Sequence, residues 1–422
     1  MGHERCNDRV SRKRNSSPPS SCDGIRLPLY KGPFQNNGAS PWYLELPVGT
    51  PKEGTTPQRL KFSLDTGSNF VWVTSTLCGA QGCQHYGDKQ FNYDDSSSFH
   101  WCSQQTIPVD FGPWGTMQVE TGQDVLALDQ QTATTSEIYL AEAYNGDQFA
   151  ELDWDGGIGV PSSYSTELHA TSRTFIRGIR RSLTQGANEK CADADFAFFQ
   201  NLMNQGRVSP DQPFLAFDTD PQTKTGTVAL GALDSAYQDS LEYLYLPFTV
   251  YPTITYVWAS ALKSLRVGEK TLATDMYFCL DTGSSQFKGD VGVMQEAFAL
   301  TDGKQSNPLV TIELAQQGDD KPGTLVIPAE VYKVEIEAGD KSGQIISQFE
   351  PMAGVDKLIL AGSVLLDYLY TVYEYEVASD ADGRYRLTAK GMWLFNKKNG
   401  LKIIQNTQSQ PARIFAGVAE GD

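Results

Sequence analysis

Two stretches of this chain say the same thing: Phe62-Ser63-Leu64-Asp65-Thr66-Gly67-Ser68 and, 216 positions later, Phe278-Cys279-Leu280-Asp281-Thr282-Gly283-Ser284. The spacing is about half of the 422 residues, so each half carries one copy and a site shared between two related halves is expected. Each copy reads as a buried strand, 61–64 or 276–280, that runs into a polar turn. There Thr and Gly allow a tight reversal and leave the Asp at the tip. A single Asp-Thr-Gly is most often an ordinary turn. Two copies, each with an apolar residue before the Asp and a Ser three after it, predict two carboxyls brought face to face.

At these residues the sequence resembles the pepsin-like aspartic proteases, and the resemblance extends over roughly residues 40 to 405. It implies a mainly all-β, bilobal fold of two related barrel-like lobes with a few short helices. It also implies an endopeptidase in which Asp65 and Asp281 share one proton around a water. Like charges a hydrogen bond apart cannot both ionise cheaply, so such a pair titrates as a unit and works at acidic pH. Ser68 and Ser284 stand where a hydroxyl can donate to the outer carboxylate oxygen. Thr66, Gly67, Thr282 and Gly283 are expected to shape and brace the two loops. Ser63 and Cys279, two before each Asp, are expected by resemblance to line subsites beside the cut bond. A peptide or protein is the implied substrate, and an Asp dyad calls for no metal or cofactor. The alternative is a protease-like protein without catalysis that serves as a binding or inhibitor protein. With both copies in one chain, a monomer is the default.

Composition narrows the remaining classes. Lys and Arg total 34 against 51 Asp and Glu, a net charge of −17, which argues against nucleic-acid or anionic-membrane binding. No run of 18 apolar residues is present to span a bilayer, and the first residues lack the apolar core of a secretory signal. The expectation is cytoplasmic as written, and secreted or periplasmic if a signal has been removed. There is no His-Glu-x-x-His, no Gly-x-Ser-x-Gly and no P-loop, and His occurs only four times.

Along the chain, residues 1–24 are polar and aperiodic and read as a disordered arm. Because they are too short for an ordinary propeptide, activity without removal of an inhibitory segment is expected. A first lobe is assigned to 25–220 and a second to 221–422, divided where Asp218-Thr219-Asp220-Pro221 breaks the strand pattern. Strands are expected at 25–30, 41–51, 69–73, 153–160, 213–218, 225–232, 244–251 and 256–267. A further buried apolar strand is expected over 358–366 and a helix over 195–203. Cys78 and Cys83 match the family's small disulfide loop; a zinc site from Cys78, Cys83, His85 and Cys102 is the rival. Residues 162–192, with Arg173, Arg177, Arg180 and Arg181, look like an insertion with a solvated face.

Val109 to Leu128 reads as a β-hairpin with Phe111-Gly112-Pro113-Trp114-Gly115 at its tip, and resembles the flap that closes over substrate in the family. The flap's usual Tyr, which hydrogen-bonds the Trp that stands here as Trp72, is replaced by Phe111. Phe111 and Trp114 are expected to favour large apolar side chains, whereas polar Ser63 departs from the family pattern. Phe111→Tyr is therefore expected to restore a hydroxyl within reach of Trp72 and to lower KM. If steady-state kinetics show Phe111→Tyr and Phe111→Ala both to be silent, the flap has been misplaced.

Overall fold

The computed structural model describes residues 24–416 apart from 80–81, 86, 88, 111–114, 131, 164–197, 304–306 and 317–320. The N-terminal arm, the flap tip with Phe111, Gly112 and Trp114, and nearly all of the Arg-rich insertion lie outside these residues.

Alternation builds the first strands. In β1 (Ile25–Lys31), Ile25, Leu27 and Leu29 are buried while Arg26, Pro28 and Tyr30 face solvent. In β2 (Trp42–Val48) the buried set is Trp42, Leu44, Leu46 and Val48. The strands β3 (Gln58–Asp65), β4 (Val71–Thr74), β5 (His100–Asp110), β6 (Thr116–Ala127), β7 (Ala133–Asn145) and β8 (Gly156–Gly159) follow. They are ordered β2-β3-β8-β4-β7-β6-β5. The expected hairpin is β5 and β6, with its first arm beginning at His100 rather than Val109. The rungs of this hairpin nearest its turn pack Ile107, Val109, Met117 and Val119 into one cluster with Trp72.

The second half repeats the central part of this plan. β12 (Ala259–Val267) pairs with β13 (Lys270–Leu280), and β20 (Leu358–Ala361) runs parallel to β13. β14 (Phe287–Gly289) lies antiparallel to β20. In the first half β2 pairs with β3, β8 runs parallel to β3 and β4 lies antiparallel to β8. β15 (Val310–Leu314), β16 (Gly323–Ile327) and β19 (Phe349–Pro351) complete a seven-stranded sheet, with the short pair β17 (Lys333–Glu335) and β18 (Ile345–Ser347) beside it.

Four short helices are described: α1 (Phe198–Asn204), α2 (Val291–Thr301), α3 (Ala329–Tyr332) and α4 (Ser363–Leu366). The apolar run expected as a single strand over 358–366 is divided by Gly362, so only Leu358–Ala361 is extended and the rest is α4. Buried apolar runs of this length suit either state, and the carbonyl of Gly362, which accepts the N–H groups of Leu365 and Leu366, decides for the helix.

The two halves are joined through a sheet and not through a flexible link. β9 (Phe214–Asp220) and β10 (Thr225–Leu230) form a hairpin whose turn falls where the lobe boundary was placed. β10 pairs with β1, β9 with β21 (Leu369–Ser379), and β21 with β22 (Tyr385–Asn396), which pairs with β11 (Tyr243–Pro247). Through β1 and β2 this layer continues into the first half as one 13-stranded sheet. A single apolar cluster likewise runs from Ile25 to Ile404. Trp258, fully buried, packs edge-on against Tyr373 and Tyr375 and donates its indole N–H to the Val160 carbonyl at 2.9 Å.

Among the carboxyls buried at this junction is Asp367. Asp367, just after α4, accepts the Trp42 indole N–H at 2.7 Å and the Thr219 hydroxyl at 2.9 Å. Burial pushes its pKa up to about 6, against the pull of the Thr219 bond and the nearby Lys31 and Lys397. A raised folded-state pKa means that its stability contribution is complete below the unfolded value near 4 and is lost as pH rises through about 6. Asp367→Asn should raise the melting temperature at pH 7.5, by the equivalent of up to about 3 kcal/mol, and barely change it at pH 4. An equal change at both pH values in calorimetry would remove the ionisation of Asp367 from the explanation.

Candidate active site

Asp65 ends β3 and Asp281 directly follows β13, so each Asp leaves a central strand clasped between an antiparallel and a parallel neighbour. Those neighbours fix where each chain leaves its sheet. The two turns then meet at the junction of the halves.

Their meeting is held by backbone and hydroxyl groups used reciprocally. The Thr66 N–H donates to Thr282 Oγ1 at 3.0 Å, and the Thr282 N–H donates to Thr66 Oγ1 at 3.0 Å. Each hydroxyl then crosses to the opposite strand, Thr66 Oγ1 to the Leu280 carbonyl at 3.0 Å and Thr282 Oγ1 to the Leu64 carbonyl at 2.6 Å. A Thr supplies both an acceptor and a donor through one oxygen, which is why this residue type suits the position.

The glycines set how close the loops come. A Cβ at Gly67 would lie 2.6 Å from Asp281 Oδ2, and one at Gly283 would collide with Asp65 Oδ1. Each carboxyl therefore rests on the glycine of the other loop. Any larger residue would separate the pair.

The inner oxygens are held alike: the Gly67 N–H donates to Asp65 Oδ1 at 2.7 Å and the Gly283 N–H to Asp281 Oδ1 at 2.9 Å. The outer ones are not. Ser284 Oγ donates to Asp281 Oδ2 at 2.9 Å, whereas Ser68 Oγ is buried without a hydrogen bond of good geometry, although its hydroxyl still helps to lower the pKa of Asp65. Burial, then the negative charge of Asp281, then a carboxyl–carboxyl hydrogen bond to Asp281 push Asp65 well above the usual carboxylate range. The Gly67 N–H opposes this without cancelling it. Such a pair can hold one proton between two oxygens while keeping one negative charge, the arrangement required to take a proton from one group and give a proton to another.

Ser63 and Cys279 are placed differently from the subsite role expected of them. They are 1% and 0% exposed, because the Asp-proximal ends of β3 and β13 are covered on both faces, and Cys279 packs with Val257, Ala259 and Leu360. Neither side chain presents surface to a cleft. Trp72 is buried with its ring edge-on to Tyr144. Cys78 and Cys83 form a disulfide, which removes the thiolates that the zinc alternative needs, and Cys102 is also oxidised. Among the described residues Cys279 is the one free thiol.

A support absent from the sequence reading is the segment 38–40. The Ser40 N–H donates to the Gly283 carbonyl at 2.9 Å, Ala39 bridges Ser284, and the Ser285 N–H donates to the Gly38 carbonyl at 3.1 Å. These residues carry no local signature, since they act only through a loop some 245 positions away.

A mostly-β fold of two related halves, with a carboxyl from each meeting at a cross-braced pair of Asp-Thr-Gly turns, has the architecture of an aspartic protease. Residues 46–379 match the eukaryotic aspartyl protease family, and the chain belongs to it. Among curated relatives, it is similar to pepsin II-1 of Oryctolagus cuniculus, 26% identical over 253 residues, which cover 59% of this chain and 56% of the relative. Similarity to pepsin A of Sus scrofa is 26% over 262 residues, 61% and 57% of the two chains. Pepsin-3 of Oryctolagus cuniculus is 23% identical over 342 residues, 77% of each. The chain thus spans little more than half the length of the first two relatives. Among the described residues no helix is long and apolar enough to cross a membrane.

The reciprocal brace predicts energetic coupling. Thr66→Val and Thr282→Val each strip an acceptor from a buried N–H and should each cost about 1–3 kcal/mol in urea unfolding. Because they share the same bonds, the double variant should lose less than the sum. Strict additivity would mean that the two hydroxyls do not act as a unit.

Proposed function

We propose that the protein is an aspartic endopeptidase in which Asp65 and Asp281 hydrolyse peptide bonds at acidic pH. The observation that carries this reading is the hydrogen-bonded Asp65–Asp281 pair, with the protonated form of Asp65 favoured by burial and by its partner's charge. Family membership supports the same chemistry.

The steps follow from one shared proton. The ionised carboxyl takes a proton from a water as its oxygen adds to the peptide carbonyl carbon, and the protonated carboxyl gives its proton to the carbonyl oxygen. A neutral tetrahedral diol results, and the pair has exchanged roles. Proton delivery to the nitrogen then lets the C–N bond break as the carboxyl that gave its proton recovers one from a diol hydroxyl. The amine and the acid leave with the dyad singly protonated again. Burial strengthens each of these transfers, since the charges are poorly screened by solvent. Substrate is an extended peptide laid across the junction of the halves, beneath the β5–β6 hairpin, whose rungs nearest the turn pack with Trp72.

Two measurements test this. Asp65→Asn and Asp281→Asn should each lower kcat by about 10³-fold or more against a fluorogenic peptide library while leaving circular dichroism unchanged. In wild type, kcat/KM should rise with the first ionisation of the pair and fall with the second, giving a bell with an acidic maximum. Near-normal turnover in either Asn variant, or a rate that climbs to a plateau above neutral pH, would overturn the dyad.

A further inference from the structure

The two halves differ sharply at one equivalent position. Seven residues after Asp65 stands Trp72 and seven after Asp281 stands Lys288. Both lie on the strand that runs antiparallel to the half's inner strand, Trp72 opposite Gly157 and Lys288 opposite Leu360. The fold places an apolar ring there once and an ammonium the second time.

Lys288 is only 9% exposed, an unfavourable place for a cation without compensation. Its Nζ donates to the Gly38 carbonyl at 2.8 Å, the same oxygen that accepts the Ser285 N–H behind the second catalytic turn. Gly38 has φ near +81°, and a side chain there would collide with the ammonium. Among the described residues, the charged groups facing Lys288 include Asp281 and Asp65 from the two turns and Glu350, its solvent-exposed neighbour on β19. Leu360 of β20 and the 38–40 backbone bring none.

We propose that Lys288 is a positioning residue of the dyad: its buried ammonium, tied to the Gly38 carbonyl behind the second turn, favours the singly ionised Asp pair and so carries activity to lower pH. The linkage is reciprocal, because a carboxylate that stabilises the cation is stabilised by it to the same extent. Burial lowers the lysine's pKa to about 8, with Asp281, Glu350 and Asp65 opposing, so the ammonium is charged throughout the acidic range. Protonated throughout the acidic range, it acts there as a fixed charge and takes no part in proton transfer. It also secures the 38–40 segment against Gly283 and Ser284, which places charge and brace on one side chain.

The inference rests on the protease reading, so its test has a readout without turnover. Carboxyl carbons of ¹³C-labelled Asp, assigned with Asp65→Asn and Asp281→Asn, report the ionisation of the pair directly by NMR. In Lys288→Met the first ionisation should move up by at least half a pH unit, and the acid limb of kcat/KM with it, cutting the rate on that limb about threefold. Lys288→Arg should titrate within about 0.2 units of wild type. Lys288→Gln keeps a donor for the Gly38 carbonyl but not the charge, and should behave as Lys288→Met; it also serves if Lys288→Met does not fold. The shift should persist at 0.5 M salt, unlike that of a surface charge. Titration of the neutral variants at the wild-type value, or a shift equally large in Lys288→Arg, would overturn the proposal. An uncleaved peptide library with a normal NMR shift would instead sink the protease reading and leave Lys288 in place.

Discussion

Two carboxyls placed within hydrogen-bond reach in a buried setting repel one another once both ionise, and folding has to hold them there regardless. Here the holding is done by the cross-brace of Thr66 and Thr282, in which two N–H groups and two hydroxyls each find partners on the opposite half. The brace transmits force only because each turn issues from a strand fixed on both sides. Each carboxyl can settle onto the other loop only because Gly67 and Gly283 lack a Cβ. Strand order, turn chemistry and residue size are consequences of one requirement.

The requirement is symmetric, but its surroundings are not. The first turn is backed by an aromatic and aliphatic cluster around Trp72 that includes the rungs of the β5–β6 hairpin nearest its turn. The second is backed by the 38–40 segment and the ammonium of Lys288. Ser284 makes a well-formed hydrogen bond to its Asp while Ser68 does not, so the two carboxyls sit in unlike environments although their turns carry the same residues. A shared proton is sensitive to such differences, since small changes in neighbouring charge and hydrogen bonding act on the pair as a whole.

The junction of the halves is itself a load-carrying layer. The N-terminal strand β1, the β9–β10 hairpin and the strands β21 and β22 form a continuous sheet beneath the turns, with Trp258, Tyr373 and Tyr375 packed across it. Asp367 in that layer and Asp65 in the pair share one physical trait, a burial that favours the protonated carboxyl.

The repeated phrase was legible because turn chemistry is local: Asp, Thr, Gly and Ser in that order specify a tight reversal wherever they occur, and the second copy announces a second carboxyl. The alternation in β1 and β2 and the Cys78–Cys83 loop were legible for the same reason, since neighbours in sequence decide them. Other features depend on partners far along the chain. Whether 358–366 is one strand or a strand and a helix turned on hydrogen bonds at Gly362, and the helix α2 and the strands that flank it drew no expectation at all. Ser63 and Cys279 are cleft residues by resemblance, yet the ends of β3 and β13 that carry them are buried on both faces. No local pattern in the sequence singles out Lys288. Only the packing of β14 between β19 and β20, with Gly38 arriving from 250 residues away, makes it a buried charge beside the site. Sequence by itself determined the two acidic turns and their equivalence; tertiary structure decided what surrounds each of them, because burial and charge proximity are properties of contacts that no local pattern records.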